Sequence, residues 1–347
     1  MALPLRILTS LAATGLGLLA GCSPSSVEAV DSSSTEGLSA PTFGAPTSEI
    51  PTTATTRLFE RMVRSHEQTA YSGIRRIEVR QPEARLEYRE DVACDGEGEF
   101  AIDVVEVLEG PEDEDLFITL QHGRQAFTFQ YRDFHIADLA LFRENYAVRW
   151  LANDAMVAGV PCLELRVDRV YDSGQSSPSH YVLRVEPETG LVLSWQYRDA
   201  QGALLSRMEF ESISFDPDLG NYFLTGSNFD GQPVDLGRNI EAQVGFDVLT
   251  PGLLPAGFEA ESGHLVTTLD QTWFRRVYTD GVARIVFMHR EQQSGVGLSN
   301  FERNRGQVFT TRIGNWNVVS GTLKRWELIM MGQVEPDELY QMLQAAF

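Results

Sequence analysis

The chain has 347 residues, 28 of them basic and 49 acidic, for a formal net charge of −21. Hydrophobic residues make up 43% of it, and the length suits two domains with cores of their own. An acidic excess of this size argues against a nucleic-acid partner, whose phosphates need a basic surface, and fits either plain solubility or the steering of a basic partner segment.

Residues 1–22 read as a signal segment. Arg6 supplies a positive start, the apolar run 11–19 is too short to span a bilayer, and Leu19-Ala20-Gly21-Cys22 matches a bacterial lipobox. Cys22 is therefore the expected lipidated amino terminus, which makes the membrane a partner through the anchor and turns the protein toward the periplasm. Each buried acyl methylene contributes about 0.8 kcal/mol, so two or more chains hold firmly. Ser23 rather than Asp follows the cysteine, which favours the outer membrane. Residues 23–55, dominated by Ser, Thr, Pro, Ala and Gly with no basic residue, bury too little to order and should form a tether with a reach of roughly 30 Å.

A helix is predicted to open the folded part, with Leu58, Phe59, Met62, Val63 and His66 on one face behind the capping pair Thr55-Thr56. Arg57, Glu60, Arg61 and Arg64 take its wet face. Strands follow through Ser72-Gly73-Ile74, Ile77 and Val79, then over 85–92, 100–108, 116–121 and 125–131; the last puts Phe127, Phe129 and Tyr131 on one face. Residues 135–150, with Leu139, Leu141, Phe142, Tyr146 and Trp150, fit either a helix or an irregular lid. Another strand begins within 157–167. From 181 to 215 the alternation is regular: Tyr181, Leu183 and Val185, a Pro187-Glu188-Thr189-Gly190 turn, Leu191, Leu193, Trp195 and Tyr197, an Asp199-Ala200-Gln201-Gly202 turn, then Met208 and Phe210. Such a meander has an apolar face that a helix, a second sheet or a ligand must cover.

Turn formers crowd the stretch 215–245, which places one domain at 56–238 and a second at 239–347. In the second, strands over 274–278 and 285–288 flank Thr279-Asp280-Gly281. Strands over 316–320 and 326–332 come next, and Pro336 opens a last helix that buries Leu339, Met342, Leu343 and Ala346.

Motifs for chemistry are missing. The histidines at 66, 122, 135, 180, 264 and 289 are scattered, and neither H-E-x-x-H, C-x-x-C nor G-x-S-x-G occurs. The acidic loop 109–115 and the stretch 216–220 lack the D-x-D-x-D-G order of a calcium loop. The expectation is a protein that is not an enzyme and carries no metal or cofactor. Cys94 and Cys162 face an oxidising compartment, either joined as an intradomain disulfide worth about 4 kcal/mol or separately buried as thiols.

The meander, with its "PETGL" and "DAQG" turns, resembles the fold shared by the LolA and LolB carriers and the amino-terminal domain of the RseB/MucB regulators. The segment 157–167 is similar to the "aG..c..L.v" stretch before the meander in RseB-like proteins. Leu254-Pro255-Ala256-Gly257-Phe258 resembles the "LP.GF" opening of the RseB/MucB carboxy-terminal domain, and Thr279-Asp280-Gly281 its "sDG" turn; the closing strand, strand and short helix keep the same order. The lipobox departs from the best-known RseB proteins, which are soluble in the periplasm. The resemblance implies an α+β protein: a LolA/LolB-like curved antiparallel half-barrel plugged by helices, then a smaller α+β domain. It further implies a lipid or acyl-chain cleft, for which Phe127, Phe129, Leu183, Trp195 and Met208 are candidate lining residues, although ordinary core packing accounts for each as well. The implied role is to hold the periplasmic segment of a membrane anti-sigma factor and let go when lipid enters, regulating an envelope-stress sigma factor. A LolB-like lipoprotein or lipid acceptor is the alternative, and a purely structural envelope lipoprotein a third.

Overall fold

The computed structural model describes residues 52–80, 85–110, 132–170, 176–226, 231–237, 239–268, 271–291, 308–313, 316–323 and 325–346. Cys22 and the signal segment, nearly all of the tether, the acidic loop from 111, and the strands expected at 116–121 and 125–131, with Phe127 and Phe129, lie outside these residues.

Helix α1 (Thr52–Gln68) leads into the first sheet. It starts ahead of the expected cap, so Thr55 and Thr56 sit within it; nothing in this Thr/Ala run breaks a helix, and the docked face downstream carries the turn along. Strands β1 (Ala70–Arg80), β2 (Arg85–Asp95) and β3 (Glu99–Glu109) follow. The ambiguous stretch then proves to be two elements. Helix α2 (Leu139–Asn145) is capped by Asp138, whose carboxylate accepts from Ala140 N and Leu141 N, and β4 (Tyr146–Val157) takes over where Tyr146, Val148 and Trp150 begin to alternate. Ala158 and Gly159, at φ 49° and 79°, turn β4 back into β5 (Val160–Val170). The meander forms as expected from β6 (Ser176–Val185), β7 (Val192–Arg198) and β8 (Leu204–Ser214), and the two-residue β9 (Thr225–Gly226) ends the first sheet. Its strand order is β4-β5-β6-β7-β8-β1-β2-β3-β9, an open antiparallel sheet.

The second sheet comprises β10 (Gln232–Pro233), β11 (Glu259–Thr268), β12 (Gln271–Thr279), β13 (Arg284–Glu291), β14 (Val308–Ile313), β15 (Trp316–Leu323) and β16 (Trp326–Gly332), in the order β10-β11-β12-β13-β16-β15-β14. The short helix α3 (Ile240–Val244) and the carboxy-terminal α4 (Pro336–Gln344) complete an α+β protein. Pro336 opens α4 beside a Glu335/Glu338 capping box, and Leu339, Met342 and Leu343 share one core with Ile285, Phe287, Leu328 and Met330; Ala346, expected on the same face, lies past the end of the helix and is only half-buried. The chain passes from the first sheet to the second between Gly226 and Gln232, ahead of the expected boundary at 238/239, because Gln232 and Pro233 pair with β11 and Val234 packs with Phe274. Among the described residues no helix is long and apolar enough to cross a membrane.

The disulfide anticipated as one possibility is not formed. Cys94 and Cys162 are free and buried, on β2 and β5, with β6, β7, β8 and β1 between them in the sheet. Strands lie about 4.8 Å apart, so the two positions are several spacings from bonding distance. Each thiol instead meets a backbone carbonyl, that of His66 or Val160, and burial pushes each up to about 11. A reductant should therefore leave the denaturation midpoint unchanged; a drop on reduction would show that the thiols are bonded.

Candidate ligand face and domain junction

Direct cross-strand partners share a face of a sheet, and one row of them crosses the first sheet from β4 to β3: Trp150, Leu165, Leu183, Trp195, Met208, Ile77, Tyr88 and Val107. Leu183, Trp195 and Met208, chosen from sequence, are three consecutive members at its centre. They are 0%, 1% and 2% exposed and belong to one core with Leu58, Phe59 and Met62 of α1 and Phe142 of α2. Helix α1 lies tightly over the turn that joins β6 to β7: a Cβ on Gly190 would come within 2.5 Å of the Met62 nitrogen, which is why Gly190, at φ 76°, occupies that place. Two polar atoms on this apolar face, the Trp195 indole N–H and the Ser206 hydroxyl, are buried without a hydrogen-bond partner among the described residues.

The opposite face is charged. Glu78 is fully buried beneath Arg80, Arg85 and Arg207, with contacts of 2.7–3.0 Å, while Arg89 bridges Glu106 and Glu211. One face is thus laced with ion pairs and the other is apolar.

Sequence reasoning missed an ionic cluster on the apolar face. Arg75 stands directly opposite Glu90 in the β1–β2 ladder, between the apolar positions Tyr71 and Ile77 on one strand and Tyr88 and Val92 on the other. The guanidinium meets Glu90 at 2.9 Å and Asp133 at 2.7 Å. Arg132 reaches both Glu90 oxygens, Asp133 and the Tyr88 hydroxyl. Burial pushes the Glu90 and Asp133 carboxyls up, but Arg132 and Arg75 outweigh it and hold both below their ordinary values. His66 and His135 flank the cluster with ring centroids 6.2 Å apart; burial above all lowers them to about 4 and about 3. The signal available in the sequence was a pair of charged residues in the apolar phase of two adjacent strands.

The second feature is where the domains meet. Thr279-Asp280-Gly281, the turn between β12 and β13, is inserted into the first domain. Asp280 is fully buried; it accepts from the Tyr146 hydroxyl at 2.9 Å and from Val282 N and Ala283 N, and pairs with Arg169 at 3.0 Å. Burial raises its carboxyl above the ordinary value, an effect that Arg169 and these donors only partly offset. Asn145 donates to the carbonyls of Gly257 and Asp280, Arg169 to that of Ala256 while lying 4.9 Å over the Phe258 ring, and Ala137 N to that of Gly281 at 2.8 Å. Val282 joins the core of the first domain. Both motifs taken from the carboxy-terminal part, 254–258 and 279–281, therefore contact the same wall.

Gly281 is required there. Its φ is 106°, and an added Cβ would stand 2.4 Å from the Phe142 nitrogen and 2.8 Å from its Cα. Gly281→Ala should cost about 1–3 kcal/mol in backbone strain and dislodge the turn, visible as faster amide exchange at Val282 and Ala283; unchanged exchange would mean that the junction accommodates a methyl group.

No protein-family model and no curated protein matches the sequence. Among solved structures the chain is similar to MucB in complex with MucA(peri), at 16% identity over 84% of this chain and 96% of that one, with a TM-score of 0.45. It is similar to the Pseudomonas aeruginosa MucA/MucB complex at 17% identity over 85% and 98%, with a TM-score of 0.44. A putative outer membrane lipoprotein-sorting protein domain from Vibrio parahaemolyticus is 11% identical over 49% of this chain and 93% of its own, with a TM-score of 0.22.

Proposed function

We propose that this chain is a lipid-anchored, non-catalytic envelope protein that holds an extended periplasmic segment of a membrane anti-sigma factor and responds to lipid, so controlling an envelope-stress sigma factor. The observation that carries the proposal is the buried Thr279-Asp280-Gly281 turn. It is one of the motifs on which the family resemblance rests, and it joins the second domain to the wall of the first through polar contacts around Asp280 and the buried Val282 side chain. Relative motion is the ordinary expectation at a junction between domains, and a ligand that binds one arrangement better shifts the balance between them. The apolar face at Leu183, Trp195 and Met208, with donors at Trp195 and Ser206 that are unmet among the described residues, suits the acyl chain and polar end of a lipid. Cys22 would keep the molecule at the membrane where such lipids and a membrane-bound regulator are found.

The test is photo-crosslinking in intact cells with probes across both domains, followed by mass spectrometry of what is attached. Capture of an anti-sigma factor's periplasmic segment, lost when envelope lipid is added, is the expected result. Capture of acylated lipoproteins alone would replace it with the LolB-like acceptor reading, which the lipobox favours.

A further inference from the structure

Residues 132–138 run as a strap from the apolar face of the first sheet to the domain junction. At the start, Arg132 and Asp133 are fixed to Glu90 and Arg75. In the middle, Phe134 meets the Tyr181 ring edge-on at 5.1 Å, Tyr181 lies 4.8 Å from Tyr197, and Ile136 is 1% exposed in the same core as Trp195 and Met208. At the end, Ala137 N donates to Gly281 O, and Asp138 caps α2, whose Asn145 holds Asp280 O and Gly257 O.

We infer that this strap is the piece an acyl ligand displaces, and that its displacement is what releases the Gly281 turn. The inference deepens the lipid-responsive reading above and rests on it. A core at native packing density has no spare volume for an acyl chain, so something must leave. The strands are held by ladders over their length, whereas the described backbone hydrogen bonds that tie the strap to the rest of the fold are those of Ala137 N and Asp138 N to Gly281 O, so it is the covering segment that can leave without opening a ladder. Its charged start is the costly part to move, because freeing Arg132 or Asp133 strands a buried charge. Phe134 and Ile136 therefore swing out about that fixed start, and the Ala137 N–H is drawn away from the Gly281 carbonyl. The ligand acts through its preference for the strap-out form.

The experiment is amide hydrogen exchange on the full lipidated chain with and without saturating palmitate, whose uptake is followed separately by tryptophan fluorescence. Exchange at Ala137 and at Gly281 to Ala283 should rise about tenfold or more while β6 to β8 stay protected. Phe134→Ala, which removes the displaced ring, should take up palmitate several-fold more tightly and with a smaller response at the junction. Uptake with no change at Ala137 and Gly281 overturns the strap; failure to take up palmitate overturns the lipid reading beneath it.

Discussion

Asp280→Ala should destabilise the protein by about 3–5 kcal/mol, the range found when one member of a buried ion pair is removed. The Arg169 guanidinium would keep its place in the junction without its carboxylate, and the Tyr146 hydroxyl and the amides of Val282 and Ala283 would lose their acceptor. Asp280→Asn, which retains an acceptor oxygen, should cost less. Chemical denaturation gives the magnitude, and small-angle scattering should show the two domains separating. A stable, equally compact Asp280→Ala protein would remove this residue from any account of domain coupling.

Glu90→Ala should cost a similar amount, about 3–5 kcal/mol, since it too removes one member of a buried ion cluster. It leaves Arg75 and Arg132 facing each other on the apolar side of the sheet with Asp133 as the remaining carboxylate of the cluster. The loss should appear first as exchange at Asp133 and Phe134. If the strap stays protected in this variant, the cluster is not what fixes it.

These two sites should respond oppositely to acid. Glu90 and Asp133 are held below their ordinary values, so their contribution is complete above the unfolded carboxylate range and is lost as pH falls through the depressed folded values. His66 and His135 act in the same sense and sooner: lowered to about 4 and about 3, chiefly by burial, they favour the unfolded chain progressively as pH falls below about 6.5. Asp280 is raised, so the folded form keeps its proton at pH values where the unfolded chain has lost it, and acid relieves this group. Protection from exchange, taken relative to the intrinsic rate at each pH from 7 down to 4, should therefore fall at the strap before it falls at Val282 and Ala283. Loss of both together would show that they open as a unit.

Much of the first sheet and the final helix could be read directly from the sequence, because period-2 and 3.6-residue patterns are local and burial of one face follows from them. Leu183, Trp195 and Met208 alternate in phase, and the structure sets them side by side. Pro336 and the spacing of Leu339, Met342 and Leu343 define α4 without reference to its neighbours. The 135–150 stretch stayed ambiguous since it is two short elements of different period joined at Tyr146, each too brief to dominate a window. What only the tertiary structure decided is pairing at a distance. Whether Cys94 could reach Cys162 depends on strand order, and no spacing along the chain reveals that four strands separate them. Arg75, Glu90, Arg132 and Asp133 look like ordinary surface charges until the register and the path of the strap bring them together out of water. Asp280 reads as a turn residue in its hairpin. It becomes the acceptor at the domain junction because the second domain inserts that turn against Tyr146 and Arg169, more than a hundred residues earlier in the chain.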